Sequence, residues 1–122
     1  KKHLWRHDGK VQTVKRMKRL GRTLLIGDGM SDLLTGKFVD LFVGFGGVTV
    51  RQPVRRRAAI YIQKPVFSPL LLLATGDQER DKLLESIYKE FVLDGLYHLQ
   101  QKDTIVYNTF RAAQLLASRF LQ

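Results

Sequence analysis

Thr23-Leu24-Leu25-Ile26-Gly27-Asp28-Gly29-Met30-Ser31-Asp32 is the stretch on which the reading of this chain turns. Residues 23–27 are apolar without alternation. A strand of that kind must be covered on both faces, as in a parallel sheet. Gly27 and Gly29 permit a sharp turn and a close backbone approach. Asp28-Gly29 therefore reads as a tight loop, and a short helix is expected from Ser31 to about Gly36.

Working outward, Asp40 to Phe45 (DLFVGF) reads as a second buried strand, ended by Gly46-Gly47. Pro53 suits the first turn of a short helix running to about Ala58, and Ala59 to Ile62 gives a third strand. Upstream, Val11, Val14, Met17 and Leu20 recur every three residues among Lys15, Arg16, Lys18 and Arg19. That spacing predicts an amphipathic helix over 11–20, stopped by Gly21. The alternation of helix and strand argues for an α/β fold with a parallel sheet and crossover helices.

After Pro65 the pattern changes. Asp77 is a good N-cap for a helix with Leu83, Leu84, Ile87, Tyr88, Phe91 and Val92 on one face, stopping at Asp94-Gly95. Residues 104–121 predict a last helix with Phe110, Ala113, Leu116, Ala117 and Phe120 on one side. The expected organisation is a core over residues 1–75 and a helical C-terminal extension over 76–122.

With 122 residues there is room for one domain. The absence of cysteine excludes a disulfide scaffold, a Cys-based zinc site and a thiol nucleophile. The net charge of +10 is uneven: residues 1–22 carry nine Lys/Arg against one acid, whereas residues 65–122 carry six bases and seven acids. The basic half can attract phosphates or nucleic acid. No apolar run approaches the roughly 20 residues of a spanning helix, and no secretory leader is evident. The expectation is a soluble cytoplasmic protein that does not meet a membrane.

The chemistry sits in the loop. Asp28 and Asp32 lie at the C-terminal end of an apolar strand, the place where open α/β sheets bind ligands. Two hard carboxylates beside a phosphate suit Mg²⁺. The same residues also fit a plain Asp-Gly turn with Asp32 capping the next helix, and the residues alone leave both readings open. Arg55-Arg56-Arg57 and the Lys15–Arg19 cluster read as solvated helix faces rather than a nucleic-acid platform. His3 and His7 do not make a convincing metal pair, and Trp5 stands alone among basic residues. No G-x-S-x-G elbow is present, and GFGG lacks dinucleotide-fingerprint spacing.

GDGxxD after an apolar strand resembles motif four of the haloacid dehalogenase-like superfamily of phosphohydrolases. The run Asp40-Leu41-Phe42-Val43-Gly44-Phe45-Gly46-Gly47 followed by VTVRQPV is similar to the stretch after motif four in phosphoserine phosphatases. The likeness covers roughly residues 7–75. It implies part of a doubly wound, Rossmann-like parallel sheet of the haloacid dehalogenase type and hydrolysis of a small phosphomonoester, phosphoserine-like, through an aspartyl-phosphate. It implies that Asp28 ligates Mg²⁺ and that Asp32, the second acid, holds Asp28 or a metal-bound water. It places Gly27, Gly29 and Ser31 in the phosphate loop. Lys10 matches the motif-three lysine that offsets negative charge, with Lys15 as the other candidate.

The family's nucleophilic D-x-D motif does not occur in these residues. The expectation is that this is the C-terminal part of a longer phosphatase, inactive alone and partnered by the upstream half of the same protein. The first strand would then present an unpaired edge and favour self-association. The competing readings are a split or degenerate phosphatase paralogue and a non-catalytic basic module binding nucleic acid or an acidic partner.

Overall fold

A computed structural model describes residues 7–120. His3 and Trp5, and the side chains of His7 and Phe120, lie outside what is described. The elements are α1 (His7–Lys18), β1 (Leu24–Gly27), α2 (Met30–Thr35), a 3-10 turn (Gly36–Phe38), β2 (Leu41–Phe45), α3 (Gln52–Arg57) and β3 (Ile60–Ile62). They continue as α4 (Ser68–Ala74), α5 (Asp77–Leu84), α6 (Lys89–Leu99), β4 (Ile105–Tyr107) and α7 (Phe110–Phe120). No helix among the described residues is long and apolar enough to cross a membrane.

The strands form one sheet in the order β1-β2-β3-β4. β1 and β3 both pair parallel with β2, and β4 pairs antiparallel with β3. Alternate side chains supply two cores. Val43, Ile60 and Ile62 point to one face, against Leu72 and Leu73 of α4, Val92 and Leu99 of α6, and Ala112 of α7. Phe42 and Tyr61 point to the other, against Leu33 of α2 and Val54 of α3. The fold is mixed α/β with helices on both faces of a mostly parallel sheet and a helix at the C-terminal end.

The first three strands and α3 fall where the sequence places them, within a residue or two. Elsewhere the structure departs from that reading. α1 begins at His7, not Val11, so Gly9 and Lys10 are helical. Residues 105–107, expected in a helix, are β4: Gln63 N–H donates to Thr104 C=O (2.7 Å) and Asn108 N–H to Ala59 C=O (2.9 Å), closing both ends of the ladder. The last helix starts only at Phe110, because Thr109 Oγ1 accepts from Ala112 N–H (3.0 Å) as an N-cap. Its buried residue is Ala112, while Ala113 and Ala117 are exposed.

The helix expected from Asp77 to Asp94 is broken in two. Ser86 Oγ donates to Leu83 C=O (2.7 Å) and accepts from Tyr88 N–H (3.1 Å), so its side chain competes with helix continuation. Ile87, Tyr88 and Phe91, expected on the apolar face, are exposed. Gly95 does not stop α6 but lies inside it. A Cβ there would come within 2.7 Å of Ser68 C=O, so the glycine permits α6 to cross close over α4. Ser68 Oγ donates to Asp94 at 2.7 Å across the same crossing. α4 itself, not anticipated in the apolar run after Pro65, carries Pro69 in its first turn.

Candidate functional site

The loop between β1 and α2 stands at the C-terminal ends of the parallel strands. Gly27 pairs in register with Gly44, and Gly44 with Tyr61. Gly27 has to be glycine: a Cβ there would collide with Cβ and Cγ of Asp32. The chain thus folds the Asp32 side chain back over the end of β1. That contact is the structural content of the GDGxxD spacing.

Asp32 occupies the third position of α2, with Gly29 as N-cap. Its Oδ2 accepts from Gly29 N–H at 3.3 Å, half of a capping box. Its Oδ1 accepts from Lys10 Nζ at 3.0 Å. The same ammonium donates to Ser31 Oγ at 2.8 Å. Lys10 and Asp32 retain 32% and 21% side-chain exposure, so the ion pair is partly screened by water and contributes at most about 1 kcal/mol to stability. Its consequence is positional, because the Lys10 ammonium ties α1 to the loop.

Asp28 is exposed and has no hydrogen bond or ion pair among the described residues. Its carboxylate nonetheless acts on Tyr61. Burial raises the pKa of that phenol, and the charge of Asp28 adds to the rise, while Arg55 and the Arg51 backbone oppose it. Tyr61 is fully buried and its hydroxyl has no partner of hydrogen-bonding geometry. Sequence reading took Tyr61 only as a strand residue. No signal in the short segment AIYI tells that its hydroxyl ends beside Gly46, at the mouth of the site.

Of the two candidate lysines, Lys10 meets Ser31 and Asp32. Lys15 lies elsewhere, with its Nζ 4.8 Å from the centroid of the Phe38 ring. The structure therefore brings Lys10, Gly27, Gly29, Ser31 and Asp32 into contact and leaves Asp28 open to solvent beside them. Among the described residues no group of three or more His, Asp or Glu side chains converges for a metal. Each Asp32 oxygen already accepts a hydrogen bond, so the carboxylate of Asp28, which has none among the described residues, is the more readily available to a cation. One or two carboxylates plus ligand oxygens and water are the usual protein share of a Mg²⁺ shell, so the residues fit that ion as a partial site.

Comparison with family models, curated proteins and solved structures finds no match to this chain.

Proposed function

We propose that this chain is the phosphate- and cation-handling part of a Mg²⁺-dependent phosphomonoester hydrolase, phosphoserine phosphatase-like, working through an aspartyl-phosphate. The observation that carries the reading is the bridge from Lys10 to both Ser31 and Asp32 beside the open carboxylate of Asp28. It joins the residues matched to two separate family motifs, 21 and 22 positions apart in the chain.

Asp28 would hold the cation, which supplies screening of phosphate charge and orientation of its oxygens. Asp32 pins the loop through Gly29 and holds Lys10 in place. An ammonium has three donors, and two of those of Lys10 are spent on Ser31 and Asp32. The third is free for a phosphoryl oxygen, where charge builds in the transition state. The resemblance assigns the nucleophile to an aspartate outside these 122 residues. Its carboxylate oxygen bonds phosphorus as the ester P–O bond breaks, and a second acid there protonates the leaving oxygen. Water then cleaves the acyl phosphate, releasing inorganic phosphate and restoring the carboxylate. Among the described residues no strand pairs with the outer edge of β1, and that edge is where the strand carrying that aspartate would pair.

The test is Asp28→Asn in the longer polypeptide that includes the upstream D-x-D. Mg²⁺-dependent release of phosphate from phosphoserine should fall by about 10²-fold or more, the usual cost of deleting one charge-stabilising group. Wild-type turnover in that variant would overturn the assignment.

A further inference from the structure

The last turns of α1 face the 3-10 turn across a shallow, open depression lined by Lys15, Lys18, Arg19, Lys37 and Phe38. The cations come from two elements separated by β1 and α2, so the fold, not one basic run, produces their convergence. One acid borders the surface. Asp40 accepts from Thr23 N–H at 2.8 Å and pairs with Lys18 at 3.3 Å, so it is already committed. Among the described residues, Lys15, Arg19 and Lys37 have no carboxylate partner. Lys15 is held over the Phe38 ring, a cation–π contact that fixes its ammonium.

Like charges gathered around one concavity repel, and an anion between them relieves that repulsion. A singly charged anion can satisfy only one or two of these groups. Lys ammoniums are compact point charges suited to phosphate oxygens, and phosphates in series can meet cations on both walls. We infer that this pocket binds linked phosphates, two or more in a row, carried by a small molecule or by a nucleic-acid backbone. It lies by the N-terminal ends of β1 and β2, at the far end of the sheet from the Asp28 loop. Lys18 is about 12 Å along α1 from Lys10 at 1.5 Å per residue. The inference does not rest on the hydrolase reading.

The experiment is calorimetric titration of this chain with inorganic triphosphate at low and at near-physiological ionic strength. Triphosphate binds at least about tenfold more tightly than orthophosphate, and more weakly as salt rises. Lys15→Ala/Lys37→Ala lowers its affinity by about tenfold or more, and Arg56→Ala/Arg57→Ala on α3 by less than about twofold. All four side chains are exposed, and a thermal melt of each variant checks that it folds. Orthophosphate binding as well as triphosphate, no triphosphate binding at low salt, or equal loss in the α3 variant each overturns the inference. A single-stranded oligonucleotide that displaces triphosphate identifies the source as a nucleic-acid backbone. Failure to displace it identifies a small polyphosphate, and either result upholds the linked-phosphate site. Asp28→Asn tests the hydrolase reading by phosphate release, and Lys15→Ala/Lys37→Ala tests this one by triphosphate affinity, so loss of either reading is told apart.

Discussion

β1 and β3 are short apolar strands of the same sheet, yet they sit in different surroundings. Ile60, Tyr61 and Ile62 of β3 are all 0% exposed. They have a strand on either side and helices above and below. All four residues of β1 are only half-buried, and among the described residues β1 has one neighbouring strand. A groove of about 1820 Å³ borders β1 and the N-terminal ends of β2 and β3, walled by residues that include Val14 and Met17 of α1, Leu73 of α4 and Leu115 of α7. Apolar character alone therefore does not set burial; the number of flanking elements does. The candidate site springs from the less supported strand, and its loop relies on the ties from Lys10 and Gly29 to Asp32.

The largest expected effect follows from that contrast. Ile62→Ala should cost about 2–5 kcal/mol, the range for emptying a closed core site. Leu25→Ala, in half-buried β1, should cost about 1–2 kcal/mol, because less surface returns to water. Urea unfolding of both variants measures the difference. Equal costs would mean that β1 is covered in solution, by another copy or by a segment beyond the described residues.

How much of this could be read beforehand depends on the range of the forces involved. The strand, the Asp28-Gly29 turn and the helix after it were legible, because a glycine turn and a helix start fix each other within a few residues; the folding of Asp32 over Gly27 was not. So were β2, the Pro53 helix and β3, each bounded by Gly or Pro. β4 was not: Ile105, Val106 and Tyr107 are a strand because β3 offers them a ladder, and that partner is more than 40 positions away. Gly95 was read as a stop because helix ends favour glycine, whereas here the crossing with α4 demands the missing Cβ. Lys10 and Lys15 could not be separated, since the choice depended on where α1 begins and which way its faces turn. The basic pocket escaped notice for a similar reason, because Lys37 joins the α1 cations only once the sheet has folded.

Hydrogen exchange sharpens the comparison at an intermediate scale. Local opening is easiest where few contacts must break, so amides of β1 should exchange about tenfold or more faster than those of β3. Native-state exchange followed by NMR gives both sets in one sample. Comparable protection at Leu25 and Tyr61 would refute the view that β1 is the looser strand.

The smallest effect concerns the acids that fasten the two ends of the sheet. The Thr23 backbone N–H, with smaller help from the Thr23 hydroxyl and Lys18, holds the Asp40 carboxyl below its ordinary value of 3.8; partial desolvation opposes them. Asp103 is lowered likewise, first by Lys64 and then by Thr104, where β3 meets β4. A carboxyl depressed in the folded state stabilises fully above its unfolded value and loses that contribution as pH falls through its folded value. Each clamp is therefore intact above 3.8 and weakens below it. Both acids are exposed, so salt screens the effect and it stays modest. Asp40→Asn should flatten the acid limb of β1 protection and leave that of β4 in place, and Asp103→Asn should do the reverse. Exchange rates measured between about pH 5 and 2, after correction for intrinsic exchange, separate the two. If either variant flattened both limbs together, the edges would be opening as one unit and the contrast between β1 and the rest of the sheet would not hold in acid.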